Sequence, residues 1–220
     1  KGYFDLIHDA DVCVFYDCVQ YTTQDWRNRN QFFIGGAKRW LTIPVEAHPL
    51  RTPIRSVRIS KRNPWRKKHW KTLERSYAGA PHAKRILDLL APVLGPEATE
   101  PEKLSDLNQS LIRVLSGFLG ITTPLMDSAA LVLEGSGTDR ILDALRKTGG
   151  DAYLSGPTAA AYLEEEKLRE AGIALSYKDY GGYPPYPQFS PCFDPHVSIL
   201  DLLFHTGSKA PEYIWGWRGR

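Results

Sequence analysis

The chain has 220 residues, of which 42% are apolar and 24% charged, with a formal net charge of +3. This balance fits one folded domain over 1–220 and excludes global disorder, and so small a charge does not point to nucleic acid. Three cysteines without a C-x-x-C pair exclude a disulfide framework or zinc site, and no run approaches the ~18 apolar residues of a membrane span. A cytoplasmic location is therefore the expectation.

Residues 2–10, GYFDLIHDA, read as a short helix that feeds a buried strand over 12–16, rich in valine and aromatics. The first residue is Lys1, so a further N-terminal piece is expected. Segments 31–34 and 39–45 flank Gly35-Gly36-Ala37-Lys38, which predicts an antiparallel hairpin with a glycine turn. Apolar and polar residues alternate over 54–59, predicting one more strand. Asn63-Pro64 then opens a helix to about Ala78, with Asn63 as N-cap and Pro64 in the first turn.

A second helix is expected over 81–90, and a third follows a polar linker at 95–103. Ser105 or Asp106 can cap this third helix; Leu107, Leu111, Val114, Leu115 and Phe118 mark its apolar face, and Gly120 ends it. The last third alternates. Strands are expected at 130–133, 152–154 and 173–177, helices at 139–147 and 157–170, and a final apolar helix at 196–205. The whole predicts an α/β fold, one layered domain with a mainly parallel sheet flanked by helices and an antiparallel hairpin near the N-terminus.

Three groups of residues carry recognisable chemistry. The first begins where the strand over 12–16 ends, the edge at which open α/β sheets bind ligands. It contains Asp17, Gln20 and Tyr21, then Trp26-Arg27-Asn28-Arg29-Asn30. In extended chain Trp26, Asn28 and Asn30 share one face and the guanidinium groups of Arg27 and Arg29 the other. The second is Trp65, Lys68, His69 and Trp70, where His69 lies one helical turn after Trp65 and could move a proton near neutral pH. The third comprises Ser155, at a strand-to-helix turn suited to an anion, and the tyrosine-proline loop with Tyr186 and Gln188. No G-x-S-x-G elbow, P-loop, complete dinucleotide fingerprint or i,i+4 histidine pair is present, so no metal site is expected and no cofactor can be named.

The strings GYFDLIHDADVCVFYDCVQYTTQDWRNRN, KRWLTIPV, WRKKH, DAYLSGP and SILDLLFHTG occur in this order. Together they resemble the WbqC-like protein family, over most of the chain from Gly2 to about Gly207. The resemblance implies a short strand and a His-Gln-Pro motif ahead of Gly2, neither of which is in this sequence. It also implies three departures. Cys18 stands where a second aspartate is usual, Asp127-Ser128-Ala129-Ala130 replaces a more serine-rich stretch, and His205 replaces an asparagine.

By the same resemblance the protein is bacterial and linked to O-antigen or other surface polysaccharides, with a glycine or aminoacyl transferase role. The expected function is thus transfer of an aminoacyl or acyl group to an amino sugar, with a nucleotide-linked sugar and an activated acyl donor as small-molecule partners. Asp17 or His69 would take the proton, Arg27 and Arg29 would hold phosphate, and Asn28, Asn30 and Gln188 would read hydroxyls. Two alternatives stand beside it: a nucleotide-dependent adenylating or ligating enzyme, and a non-catalytic component of the polysaccharide machinery.

Overall fold

The computed structural model describes residues 1–99 and 101–218. In chain order the elements are α1 (Gly2–His8), β1 (Cys13–Phe15), β2 (Arg29–Ile34), β3 (Ala37–Thr42), α2 (Trp65–Ser76), α3 (Ala83–Leu94) and α4 (Leu104–Leu119). Then come β4 (Leu125–Asp127), α5 (Ser128–Leu131), α6 (Gly137–Thr148), β5 (Ala152–Ser155), α7 (Glu165–Glu170), β6 (Ala174–Tyr177) and α8 (Ile199–Thr206). The fold is mixed α/β, as its alternating pattern predicts. Its strands form three two-stranded sheets: β1 with β4 and β5 with β6 are parallel, and β2 with β3 is the antiparallel hairpin.

The chain divides into two compact units. The first comprises Lys1, 17–120 and 183–220. Its core is α8, all eight residues of which are buried, lying against α3. Leu202, Leu203 and Phe204 are fully enclosed, each contributing about 1.5–3 kcal/mol by leaving water. The α8 start is set by Ser198, whose hydroxyl accepts from the Leu200 N–H at 3.3 Å, so the helix begins at Ile199 and not at His196. A 3-10 segment, Gly207–Tyr213, follows it. Gly207 has φ +55°, and a Cβ there would lie 2.6 Å from Nδ1 of His82. Gly207→Ala should therefore lower unfolding stability by about 1–3 kcal/mol in urea titrations, and an unchanged midpoint would refute the clash.

The hairpin turns at Gly35 and Gly36 with φ of +60° and +77°, the left-handed pair that a two-residue connection requires. Pairing runs from Arg29 opposite Thr42 to Ile34 opposite Ala37, and the Ile43 N–H donates to the Asn28 carbonyl at 2.7 Å just beyond. The helix at 65 starts one residue later than expected, with Pro64 and not Asn63 as its cap. Lys103, not Ser105 or Asp106, caps α4, because Ser105 is buried inside the helix and donates to Asp17. Gly120 ends α4 in the left-handed region, as its position suggests.

The alternation over 54–59 is not a strand. Ile54–Ser56 is a 3-10 turn, and Ile54, Val57 and Ile59 reach the core from irregular backbone. Pro53 has no N–H to donate, and the neighbouring amides are used singly: Ile54 donates to Val19 at 2.9 Å and Arg55 to Asp17 at 3.0 Å. Pairing is limited to isolated bridges, of Ile59 with Val45 and Arg58 with Lys103, so the apolar spacing records burial more than a ladder.

The second unit comprises 2–16 and 121–182. The strand expected at 130–133 is instead β4, over Leu125–Asp127, and a short helix occupies Ser128–Leu131. Asp127 makes the change: its Oδ1 accepts from the Ala129 N–H at 2.9 Å and so caps α5. The helix expected over 157–170 is split into a 3-10 turn, Pro157–Ala161, and α7. Between them the Glu164 N–H is taken by the Thr138 hydroxyl at 3.0 Å. The Lys178 ammonium lies between two acids of α1 and its end, 3.2 Å from fully buried Asp5 and bonded to Asp9. Among the described residues no helix is long and apolar enough to cross a membrane.

Candidate functional site

In the first unit a cleft of about 490 Å³ opens between β3 and the start of α2. The strand side supplies Trp40, Leu41 and Thr42, with Pro44 beyond. The helix side supplies Trp65, Lys68 and His69, preceded by Asn63 and Pro64. Positions 65, 68 and 69 fall on one side of a helix because one turn takes 3.6 residues. The volume lies in the range of small-molecule sites, and the mixture of aromatic walls with a few polar groups is typical of them.

His69 meets the edge of Trp65, with ring centroids 5.3 Å apart. Burial, and then the positive charge of Lys68, pull its pKa from 6.5 down to about 4, against a hydrogen bond to the Thr42 backbone that raises it. A contact that raises the value is one in which the ring donates, so one nitrogen holds the proton and the other keeps a lone pair. The imidazole is thus neutral at physiological pH. Unfolded, it titrates near 6.5; folded, near 4. Between these values the unfolded chain binds a proton that the folded chain refuses, so stability falls as the pH drops from 6.5 to 4. The displacement caps this loss at about 3 kcal/mol, and partial solvent contact lessens it. Urea midpoints at neutral and acid pH should differ less for His69→Gln than for the native chain; identical pH dependence would count against a neutral, desolvated imidazole.

The rim of the cleft gathers two of the residues singled out by their polarity and aromaticity. Trp26, 59% exposed, lies with its ring 5.1 Å from Trp40, and the Arg29 guanidinium covers Trp40 at 4.2 Å. Arg29 also donates to the Gln24 carbonyl at 2.5 Å. Arg27 is matched by Asp25, which it contacts together with the Thr22 hydroxyl. Asn28 is buried and donates to the Ile43 carbonyl at 3.0 Å, while Asn30 accepts from the Gln31 N–H at 2.8 Å. Asn28 holds the approach to β2, and Asn30 lies within the strand. Gln20 is exposed and bridges to Pro53, and Tyr21 is buried edge-on to His48, with centroids 5.1 Å apart.

Asp17 stands apart from the cleft lining. Its Oδ2 accepts from the Ser105 hydroxyl at 2.5 Å and from Gln109 at 3.5 Å, anchoring its segment to α4. Ser155 belongs to the second unit, at the end of β5, where its side chain hydrogen-bonds Tyr153.

Tyr186 and Gln188 converge on a group that the sequence reading passed over. Asp201 of α8 is fully buried. Its Oδ2 accepts from Tyr77 at 2.8 Å, and its Oδ1 from Tyr186 at 2.8 Å and Gln188 at 2.9 Å. Burial, and then the Asp201 charge, push both phenols far above the usual tyrosine range, so they remain donors. One turn on, His205 Nδ1 donates to the Asp201 carbonyl at 2.8 Å, leaving Nε2 buried without a partner among the described residues. The signal was present as an aspartate and a histidine four apart in the apolar string SILDLLFH, where any polar side chain must be satisfied.

The family model for the WbqC-like protein family matches residues 1–213. The chain belongs to this family. A protein of Mycobacterium tuberculosis (strain ATCC 25618 / H37Rv), the uncharacterized protein Rv1507c, is 39% identical over 215 residues, which cover 97% of this chain and 92% of the relative. No solved structure matches. The WbqC-like strings quoted from the sequence lie in both units: WRKKH forms the helix side of the cleft, and DAYLSGP carries β5.

Proposed function

We propose that this WbqC-like protein is a cytoplasmic transferase that places an aminoacyl or acyl group on the amine of an amino sugar, in the building of a surface polysaccharide. The observation that carries the reading is a cleft whose lining sets the His69 imidazole beside two tryptophans. Trp40, 40% exposed, can offer its ring to the apolar face of a sugar or a base, and Asn63 can exchange hydrogen bonds with hydroxyls. His69 supplies the proton acceptor.

In the reaction the amine nitrogen attacks the acyl carbonyl carbon, the new C–N bond forms, and the bond to the donor's leaving group breaks. The nitrogen sheds its proton to the open ring nitrogen of His69, which can then return it to the leaving group. Trp26 and Arg29 would extend the binding surface at the rim. The test combines the protein with a nucleotide-linked amino sugar and two donors in turn, an acyl thioester or an amino acid with ATP. Mass spectrometry should find the sugar heavier by the acyl group less the displaced hydrogen. No product with either donor, together with no binding of the sugar, overturns the reading.

A further inference from the structure

Several cations of the fold are answered by acids. Arg58 meets Glu46 and Glu102, Lys84 meets Asp88, and Lys38 meets Asp194. The stretch 61–71 is acid-free, carrying Lys61, Arg62, Arg66, Lys67, Lys68 and Lys71 with no aspartate or glutamate. Arg66 is buried and donates to the Val93 carbonyl at 2.8 Å. The other five are exposed, and none of them forms an ion pair among the described residues.

Their arrangement is directional. Lys67, Lys68 and Lys71 fall within an arc of about 100° on α2, and Lys68 is part of the cleft wall. The cleft lining contains no carboxylate. At the rim, Nε of Arg29 is buried and has no partner among the described residues. A row of uncompensated like charges costs energy through mutual repulsion, and an anion placed among them removes that cost.

We infer that the cleft takes the diphosphate of its ligand, held by Lys68 at the wall with Lys67 and Lys71 beside it, so that the sugar arrives as a diphosphate ester. This rests on the cleft being the transfer site and narrows its substrate. Two sources share the chemistry: a soluble nucleoside diphosphate sugar and a lipid-linked diphosphate sugar.

Isothermal titration with inorganic pyrophosphate, without any acyl donor, tests the inference separately from the transfer reaction. Binding should weaken about tenfold in the double variant Lys68→Gln, Lys71→Gln, and fall with added salt. Lys84→Gln should bind as the native chain does. Both altered lysines are exposed, and equal melting temperatures would confirm that the variants fold. Competition by UDP assigns a soluble nucleotide source. Pyrophosphate binding that UDP does not displace assigns the lipid-linked source. Absence of pyrophosphate binding, or binding indifferent to the double variant, overturns the inference. Sedimentation with phosphatidylglycerol vesicles in the absence of pyrophosphate binding also overturns it, assigning the cations to a membrane surface.

Discussion

Asp201→Ala lowers the unfolding free energy by about 3–5 kcal/mol and the melting temperature by about 10 °C. The size follows from what the substitution strands. Two phenol hydroxyls now directed at the Asp201 carboxylate would lose their acceptor in the interior of the first unit, while Gln188 keeps the Asp194 carbonyl and the Tyr186 hydroxyl. A cavity the size of a carboxyl group is left as well. Tyr186→Phe removes only one donor and leaves Asp201 with two, so it should cost about 1 kcal/mol. Urea unfolding of the two variants beside the native chain makes the comparison. Near-equal small losses would mean that the carboxylate does not organise this core.

The second large effect falls on activity. His69→Gln should lower kcat by about a hundredfold or more, with KM changed only a few-fold, because glutamine can replace the hydrogen bond to the Thr42 backbone but cannot accept a proton. Asp17→Asn provides the contrast. The Asp17 carboxyl is engaged by Ser105 and Gln109 of α4, so its replacement should lower the melting temperature while kcat stays within a few-fold of native. The reverse outcome, with kcat lost at Asp17 and kept at His69, would move the proton acceptor out of the cleft. Kinetics of purified, folded variants decide between the two.

How far these features could be read from sequence depends on the range of the interactions that make them. The hairpin was legible because its cause is local: two glycines supply the left-handed turn, and apolar residues flank them. The stop of α4 at Gly120 is local in the same way. The exchange of strand for helix around Asp127 turned on one capping side chain, and a three-residue strand has too little periodicity to outweigh it. The segment 54–59 shows the opposite limit, where burial imposes alternation on backbone that pairs only through isolated bridges.

The cleft was half visible. His69 and Trp65 share a helix face by spacing alone. That Trp40 completes the opposite wall depends on packing between residues some thirty positions apart, and spacing carries no record of it. Arg27 and Arg29 look equivalent in the sequence and are not. One is matched by its neighbour Asp25, and the other lies flat on Trp40. Asp201 was concealed by its company, because five of the eight residues of α8 are apolar and the other two polar ones, His205 and Thr206, sit at its end.

The Gly35-Gly36 turn has a further use. A Cβ at either glycine would meet nothing within 4 Å, so the tip of the hairpin stands clear of its surroundings. Two residues further on, Lys38 is tethered to Asp194, whose N–H donates to Gln188 at 2.9 Å. An epitope or fluorescent peptide spliced between the glycines would therefore hang beyond that tether, leaving the register that carries Trp40 to the cleft wall untouched. The glycine turn offers a place to mark the molecule while its chemistry is being found.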